Sequence, residues 1–115
     1  MKPAALLPAD IAAFCPLTAT EHPIAHGIIS QAVLTAPGLR VTRFQFATGQ
    51  ELSEHTSPAR VVVQVLSGSC EFSVEDISYT LKSGDFLHVP PGRPHAVRAP
   101  EALNLLVIQA TPPSA

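Results

Sequence analysis

The sequence predicts an all-β chain that folds as an antiparallel sandwich or barrel. Apolar residues recur with a period of two, not the period of a helix, over most of the chain. The apolar runs are short and end at glycine and proline positions that favour turns. No helical segment is long enough to connect parallel strands, so neighbouring strands are expected to run antiparallel.

The expected elements follow this punctuation in chain order. A short N-terminal helix is expected around Pro8 to Phe14, because Ala9-Asp10 can open it and Pro16 would stop it. Eight strands should follow, with the bounds Ile28 to Leu34, Leu39 to Ala47, Arg60 to Leu66, Cys70 to Glu75, Ile77 to Leu81, Phe86 to Val89, His95 to Arg98 and Ala102 to Gln109.

Two of these strands differ in the faces that they bury. From Cys70 to Glu75 apolar and polar residues alternate, which predicts that Cys70, Phe72 and Val74 share a buried face. The run from Val61 to Leu66 is apolar on both faces, as in a strand that is covered on both sides. One face would fill the barrel, and the other would contact a second layer or a partner subunit.

Composition limits the organisation and the partners of the chain. With 115 residues, 46% apolar and 14% charged, it fits one domain over 1–115, with a core at about 26–110 and a frayed tail at 111–115. A formal charge of -2 offers no broad basic surface, so nucleic acid is not an expected partner.

Neither a membrane span nor a cysteine motif is evident. The apolar N-terminal stretch is interrupted by Pro3, Pro8 and Asp10, and no run approaches the roughly 20 residues that span a bilayer. Cys15 and Cys70 lack a CxxC spacing and are expected to be buried free thiols. These features favour a cytoplasmic protein that does not bind membranes.

Five histidines are the main candidates for chemistry. His22 and His26 are four residues apart, but the proline and glycine beside them disfavour a helical metal pair, so they are interpreted as loop residues. His55 and His95 each lie beside glycine or proline at the edge of an expected strand. They are therefore the stronger candidates for a site.

Two stretches around these histidines resemble the motifs of the cupin superfamily. The first motif reads Gly, five residues, His, one residue, His, three or four residues, Glu, six residues, Gly, and residues 49–68 follow it from Gly49 through His55 to Gly68. The second reads Gly, five residues, Pro, one residue, Gly, two residues, His. Residues 84–95 match each of its defining positions up to His95. A separation of 15 residues between the motifs is usual for small single-domain cupins.

The resemblance implies a jelly-roll barrel with a pocket between its sheets. In metal-binding cupins, two histidines and a glutamate of the first motif and the histidine of the second surround a divalent ion. Here His55 and His95 keep their places, but Ser57 replaces the second histidine and Val61 replaces the glutamate. Two of the four ligands are therefore missing.

This departure sets the expectations for the site. His55, Ser57 and Val61 are separated by even steps, so all three should face the pocket unless a bulge intervenes, with Val63 and Phe72 as further walls. If one divalent metal binds, His55 and His95 are its candidate ligands. Zn, Ni or Cu suits two imidazoles better than Fe or Mn, which commonly require a carboxylate.

Further side chains near the motifs have two readings each. Gln64 and Glu54 should face away from the pocket, and His88 should also turn outwards. Arg60 and Arg93 can attract an anionic ligand to the pocket mouth or can simply be solvated.

Two hypotheses for function follow. The first is a small-molecule-binding protein with a histidine-marked pocket, acting as a weakly metal-dependent enzyme on a small organic substrate. The alternative is a non-catalytic ligand-binding or sensory cupin that has lost its metal site. The many apolar residues also predict a homodimer that buries the outer face of one sheet.

Overall fold

The computed structural model describes residues 5–17 and 24–112. In these ranges the chain forms strands and no helix. The nine strands are β1 (Ile28–Ala36), β2 (Leu39–Phe46), β3 (Glu51–His55), β4 (Arg60–Ser67), β5 (Ser69–Val74), β6 (Ile77–Lys82), β7 (Phe86–Val89), β8 (His95–Arg98) and β9 (Leu103–Ala110).

The strands form two antiparallel sheets that pack face to face. One sheet has five strands in the order β1-β2-β9-β4-β7, and the other has four in the order β3-β8-β5-β6. The predicted all-β jelly roll is therefore confirmed. Because β4 lies between β9 and β7 while β8 lies between β3 and β5, the strands that follow the two motifs face each other across the core.

The alternation of β4 and β5 defines the core. Val61, Val63 and Val65 are buried, as are Cys70 and Phe72, and they belong to one cluster of buried side chains. The opposite face of β4 is only half-buried, so one face is fully covered in the monomer rather than both.

The two cysteines are free thiols in different surroundings. Cys15 is half-buried, whereas Cys70 is fully buried. Desolvation, with the neighbouring charge of Glu71, raises the pKa of the Cys70 thiol to about 11. The Cys70 side chain therefore behaves as a small apolar core residue.

The predicted N-terminal helix is wrong. Residues 8–14 contain bends and extended backbone. Just before them, the N–H groups of Leu6 and Leu7 donate to the carbonyls of Ala32 and Val33 on β1, at 3.1 and 2.8 Å. The backbone of this segment is thus tied to the edge of the sheet, where β1 has a register shift between Ala32 and Leu34.

One strand was not predicted, and the others differ at their ends by up to two residues. The missed strand is β3, in which only Leu52 is apolar and most side chains are exposed. Its backbone pairs with β8, so hydrogen bonding rather than burial holds it in the sheet. The bounds of β7 and β8 are those predicted.

The ends of the described chain add two facts. Thr111, assigned to the frayed tail, donates its backbone N–H to Gly38 O at 2.9 Å, and residues 113–115 lie outside the described residues. Nowhere in the described ranges is there a helix long and apolar enough to cross a membrane.

Candidate functional site

A cavity of about 290 Å³ lies between the two sheets. Its walls are mainly apolar and come from both sheets: Phe44, Phe46, Leu52, Val61, Val63, Phe72, Val97, Leu105 and Val107. Its polar lining consists of Ser30, Arg40, Thr42, His55, His95 and Gln109. A mostly apolar cavity with a few polar groups is typical of a small-molecule site, and this volume is at the small end of that class.

His95 is the buried member of the histidine pair. It begins β8, and 5% of its surface is exposed. Its ring stacks on Phe72, with centroids 6.0 Å apart and an angle of 8° between the planes. Its Nδ1–H donates to the backbone carbonyl of Arg93 at 2.9 Å in the tautomer that this contact favours. Packing and hydrogen bonding therefore fix the orientation of this ring.

His55 is the exposed member and ends β3. Its Nδ1 lies 2.9 Å from the carbonyl of Ser53, so it makes the same contact, two residues back, that His95 makes. The register of β3 shifts between Leu52 and His55, which pair with Val97 and His95 of β8. This bulge brings Leu52 and His55 to the cavity although they are an odd number of residues apart.

The two rings lie against each other at the cavity. Their centroids are 4.3 Å apart and their planes are tilted by 59°. With Nδ1 of each neutral ring donating to a carbonyl, Nε2 of each ring keeps its lone pair. Two Nε2 atoms can accept hydrogen bonds from a ligand or can coordinate a metal.

The cavity has few other metal ligands. Within residues 5–17 and 24–112, no group of three or more His, Cys, Asp or Glu side chains could hold a metal ion. A metal at the histidine pair would therefore have two protein nitrogens and need water or a ligand for its other positions. The structure supplies no carboxylate to replace the one lost at Val61.

The structure places Ser57 outside the cavity, contrary to the expectation from alternation. Strand β3 ends at His55 and β4 begins at Arg60, so a bend rather than continuous pleating separates Ser57 from its neighbours. The Ser57 hydroxyl accepts a hydrogen bond from the N–H of Ala59 at 3.1 Å. It lines an adjoining depression, which shares Arg40 and Gln109 with the cavity. Val61, Val63 and Phe72 do line the cavity.

The remaining histidines lie away from the cavity lining. His88 is exposed and accepts a hydrogen bond from Arg60 Nη1 at 2.7 Å, as its neighbours Leu87 and Val89 turn inwards. His26 is exposed before β1, and His22 lies outside the described residues. Neither His88 nor His26 contributes to the site.

The two arginines proposed for the mouth do not line the cavity. Arg60 contacts His88, and Arg93 forms an exposed ion pair with Glu75 at 3.3 Å. Gln64 donates to the carbonyl of Gly84 at 3.4 Å on the outer side of β4. These side chains have other partners on the surface.

Arg40 is the cavity residue that sequence reasoning missed. It lies on β2 in the series Arg40, Thr42, Phe44 and Phe46, all of which line the cavity. This even-numbered series is visible in the sequence, because period-two alternation places all four on one face. What the sequence could not supply is the pairing of Arg40 with Gln109 across β2 and β9.

The comparisons with known proteins agree with this architecture. The cupin domain model matches residues 42–109, which is more than half of the chain. The chain belongs to the cupin family. A search of curated proteins gives no match.

Solved structures extend the likeness over the whole cupin. A conserved protein of unknown function from Streptococcus pyogenes is 26% identical, with a TM-score of 0.78, 96% of this chain covered and 97% of that one. An RmlC-like cupin from Desulfovibrio desulfuricans is also 26% identical, with a TM-score of 0.74 and coverages of 87% and 96%.

The same fold occurs in an enzyme. A salicylate 1,2-dioxygenase variant from Pseudoaminobacter salicylatoxidans has a TM-score of 0.70 at 20% identity, with 73% of this chain and 26% of that chain covered. At this identity the likeness concerns the fold alone.

Proposed function

We propose that this cupin binds a small organic molecule in the cavity between its sheets, with His55 and His95 as the polar anchor. The observation that carries the proposal is the matched hydrogen bonding of the two rings. Each Nδ1 is satisfied by a backbone carbonyl, and the rings are 4.3 Å apart at the cavity. Two Nε2 acceptors in an otherwise apolar wall recognise a ligand with one or two polar atoms.

The same pair fits a weakly held divalent metal. Metal-ligating histidines usually donate the other ring N–H to a carbonyl or carboxylate, as both rings do here. Zn, Ni or Cu fits two imidazoles better than Fe or Mn, because no carboxylate lines the cavity among the described residues. A bound metal would supply Lewis acidity, while His55 and His95 would hold it and the apolar walls would limit access of water.

Two functions are compatible with this site. The one we favour is a weakly metal-dependent enzyme on a small organic substrate, since neutral imidazoles can transfer protons or hold a metal. The alternative is a non-catalytic ligand-binding or sensory cupin, which the loss of two ligand positions, Ser57 and Val61, favours. Both functions require ligand binding at the histidine pair.

Thermal shift measurements test this requirement. A panel of small organic compounds, together with Zn²⁺ as a separate probe, is screened on the wild-type protein, on His55→Ala and on His88→Ala. Because His55 is exposed, its replacement should leave the fold intact. His88→Ala is the matched control, since His88 is an exposed histidine outside the cavity.

We expect probes that stabilise the wild type and His88→Ala to lose most of their effect in His55→Ala. Stabilisation that persists unchanged in the folded His55→Ala/His95→Ala protein would place the functional site outside the barrel. A panel in which neither Zn²⁺ nor any compound stabilises the wild type would also contradict the proposal.

We further propose that the protein is a homodimer through the outer face of its five-stranded sheet. Gln64 of this face pairs with Phe86, and Phe86 is 62% exposed. The register continues the face through half-buried apolar residues of three strands: Val41, Val62, Leu106 and Ile108. An apolar surface of this kind is typical of contacts between copies of a protein.

A further inference from the structure

The cavity has a second polar end, formed by Arg40 and its neighbours on the five-stranded sheet. Arg40 on β2 pairs directly with Gln109 on β9, and both line the cavity. Thr42 follows two residues later on the same face of β2, and Ser30 of β1 also lines the cavity. This end therefore offers a guanidinium, an amide and two hydroxyl groups.

Arg40 differs from the other arginines that line or border the barrel. Arg43 donates to Gln31 at 2.7 Å, Arg60 to His88 and Arg93 to Glu75. Arg40 has no hydrogen bond or ion pair with any residue in the described ranges. Its side chain is exposed, so its charge is available to a ligand that enters the cavity.

The charges around Arg40 favour an anion. Among the described residues, the cavity lining contains one arginine and no aspartate or glutamate. The guanidinium group binds carboxylates through two parallel hydrogen bonds, and it keeps its charge at any relevant pH. Low-dielectric walls strengthen such a contact relative to water.

We infer that Arg40 selects a small monocarboxylate, whose apolar body packs against the phenylalanine and valine walls of the cavity. This inference rests on the proposed function, because it assigns the ligand class of the same cavity. One cation and no second arginine match a single negative charge. A volume of about 290 Å³ and apolar walls match a compact aromatic or branched aliphatic body.

Matched acids and amides test the inference. Benzoate with benzamide and isovalerate with isovaleramide are titrated into ¹⁵N-labelled protein, and amide shifts locate and quantify binding. Each amide keeps the shape of its acid but lacks the charge. Phenyl phosphate, as a dianion with the same ring as benzoate, separates a carboxylate preference from a general preference for anions.

Three variants accompany the titrations. Arg40→Gln removes the charge at similar length, and Arg40→Lys keeps the charge but loses the paired donors. Arg98→Gln is the control, because Arg98 is an exposed arginine that does not line the cavity. Arg40 is exposed, so its variants should fold.

We expect at least one acid to bind the wild type and Arg98→Gln tenfold or more tightly than its amide. Arg40→Gln should lose this preference, Arg40→Lys should keep part of it, and phenyl phosphate should bind more weakly than benzoate. Equal binding of acids by Arg40→Gln and the wild type overturns the inference, as does phenyl phosphate binding more tightly than benzoate.

The outcomes separate this inference from the proposed function. If amides perturb cavity residues as strongly as acids, the cavity binds small molecules but Arg40 does not select them. If neither acids nor amides bind, the inference fails. The thermal shift screen with Zn²⁺ and uncharged compounds then decides the proposed function independently.

Discussion

Two regions of the barrel each deliver one histidine to the cavity, and they hold it in different ways. The first region is residues 49–68, which ends β3 with the exposed His55 after a bulge. The second region is residues 84–98, in which a proline-rich turn leads to the buried His95. Both rings make the same hydrogen bond to a carbonyl, so the difference lies in the support around them.

The comparison indicates how the labour is divided in the site. His95 is fixed by stacking on Phe72 and by burial, and it belongs to the core as much as to the cavity. His55 has no such cover, and it is available to a ligand at little expense to folding. The two regions are joined by a backbone hydrogen bond from Gly92 N to Ser57 O at 2.8 Å.

The largest expected effect concerns the glycines that bound the two regions. A Cβ on Gly68 would lie 2.1 Å from the carbonyl oxygen of Ala102, which is backbone and cannot move aside cheaply. A Cβ on Gly84 would meet nothing within 4 Å, although both glycines have positive φ. Gly68→Ala should therefore lower the free energy of unfolding by more than about 3 kcal/mol, and Gly84→Ala by about 1 kcal/mol.

Urea denaturation of the two variants measures this difference. Gly84→Ala is the matched control for the positive φ angle, so the excess in Gly68→Ala reports the steric clash. Loss of folded Gly68→Ala during expression agrees with the expectation. Similar stability of the two variants would show that the β4–β5 turn relaxes around the new methyl group.

A smaller effect is expected at the histidines themselves. His95→Ala removes a buried ring from Phe72 and leaves the Arg93 carbonyl without its donor, so it should destabilise the fold by about 2 kcal/mol. His55→Ala removes an exposed ring and should change stability by less than about 0.5 kcal/mol.

The same two variants should weaken Zn²⁺ binding to a similar extent, because each removes one of two Nε2 donors. Urea unfolding and calorimetric Zn²⁺ titration give the two readouts. Equal loss of stability in both variants would contradict the division between a structural and an exposed histidine. Unequal loss of Zn²⁺ affinity would mean that one ring holds the metal alone.

The two regions also differ in how well the sequence predicts them. In the second, Gly84 and the proline-rich turn mark the ends of β7 and β8, and regular alternation places Val89 inside and His88 outside. In the first, the polar strand β3 carries almost no apolar signal, and its bulge breaks the period of two. Ser57 was misplaced for that reason, since parity cannot be counted across a bend.

The position of Arg40 shows a second limit of the sequence. Its face on β2 follows from alternation with Thr42, Phe44 and Phe46. Its nearness to the cavity mouth depends on pairing between β2 and β9, which are separated by most of the chain. Such long-range pairing is a property of the whole jelly roll, and local patterns do not encode it.

The smallest expected effect on the stability of the monomer, but a large one on assembly, concerns the outer face of the second region. Phe86 is 62% exposed on β7, at the edge of the half-buried apolar face proposed as the dimer contact. Phe86→Glu places a charge there, which a partner subunit would have to desolvate. It should change the unfolding free energy of the monomer by less than about 0.5 kcal/mol.

Light scattering coupled to size exclusion should give the wild type about twice the chain mass of 12.1 kDa, and Phe86→Glu should give the single mass. Ile77→Glu is the matched control, since Ile77 is 58% exposed but lies on β6 of the other sheet. It should remain a dimer because its sheet does not carry the proposed contact. A wild type of 12.1 kDa at micromolar concentration would sink the proposed dimer, and a monomeric Ile77→Glu with a dimeric Phe86→Glu would move the contact to the four-stranded sheet.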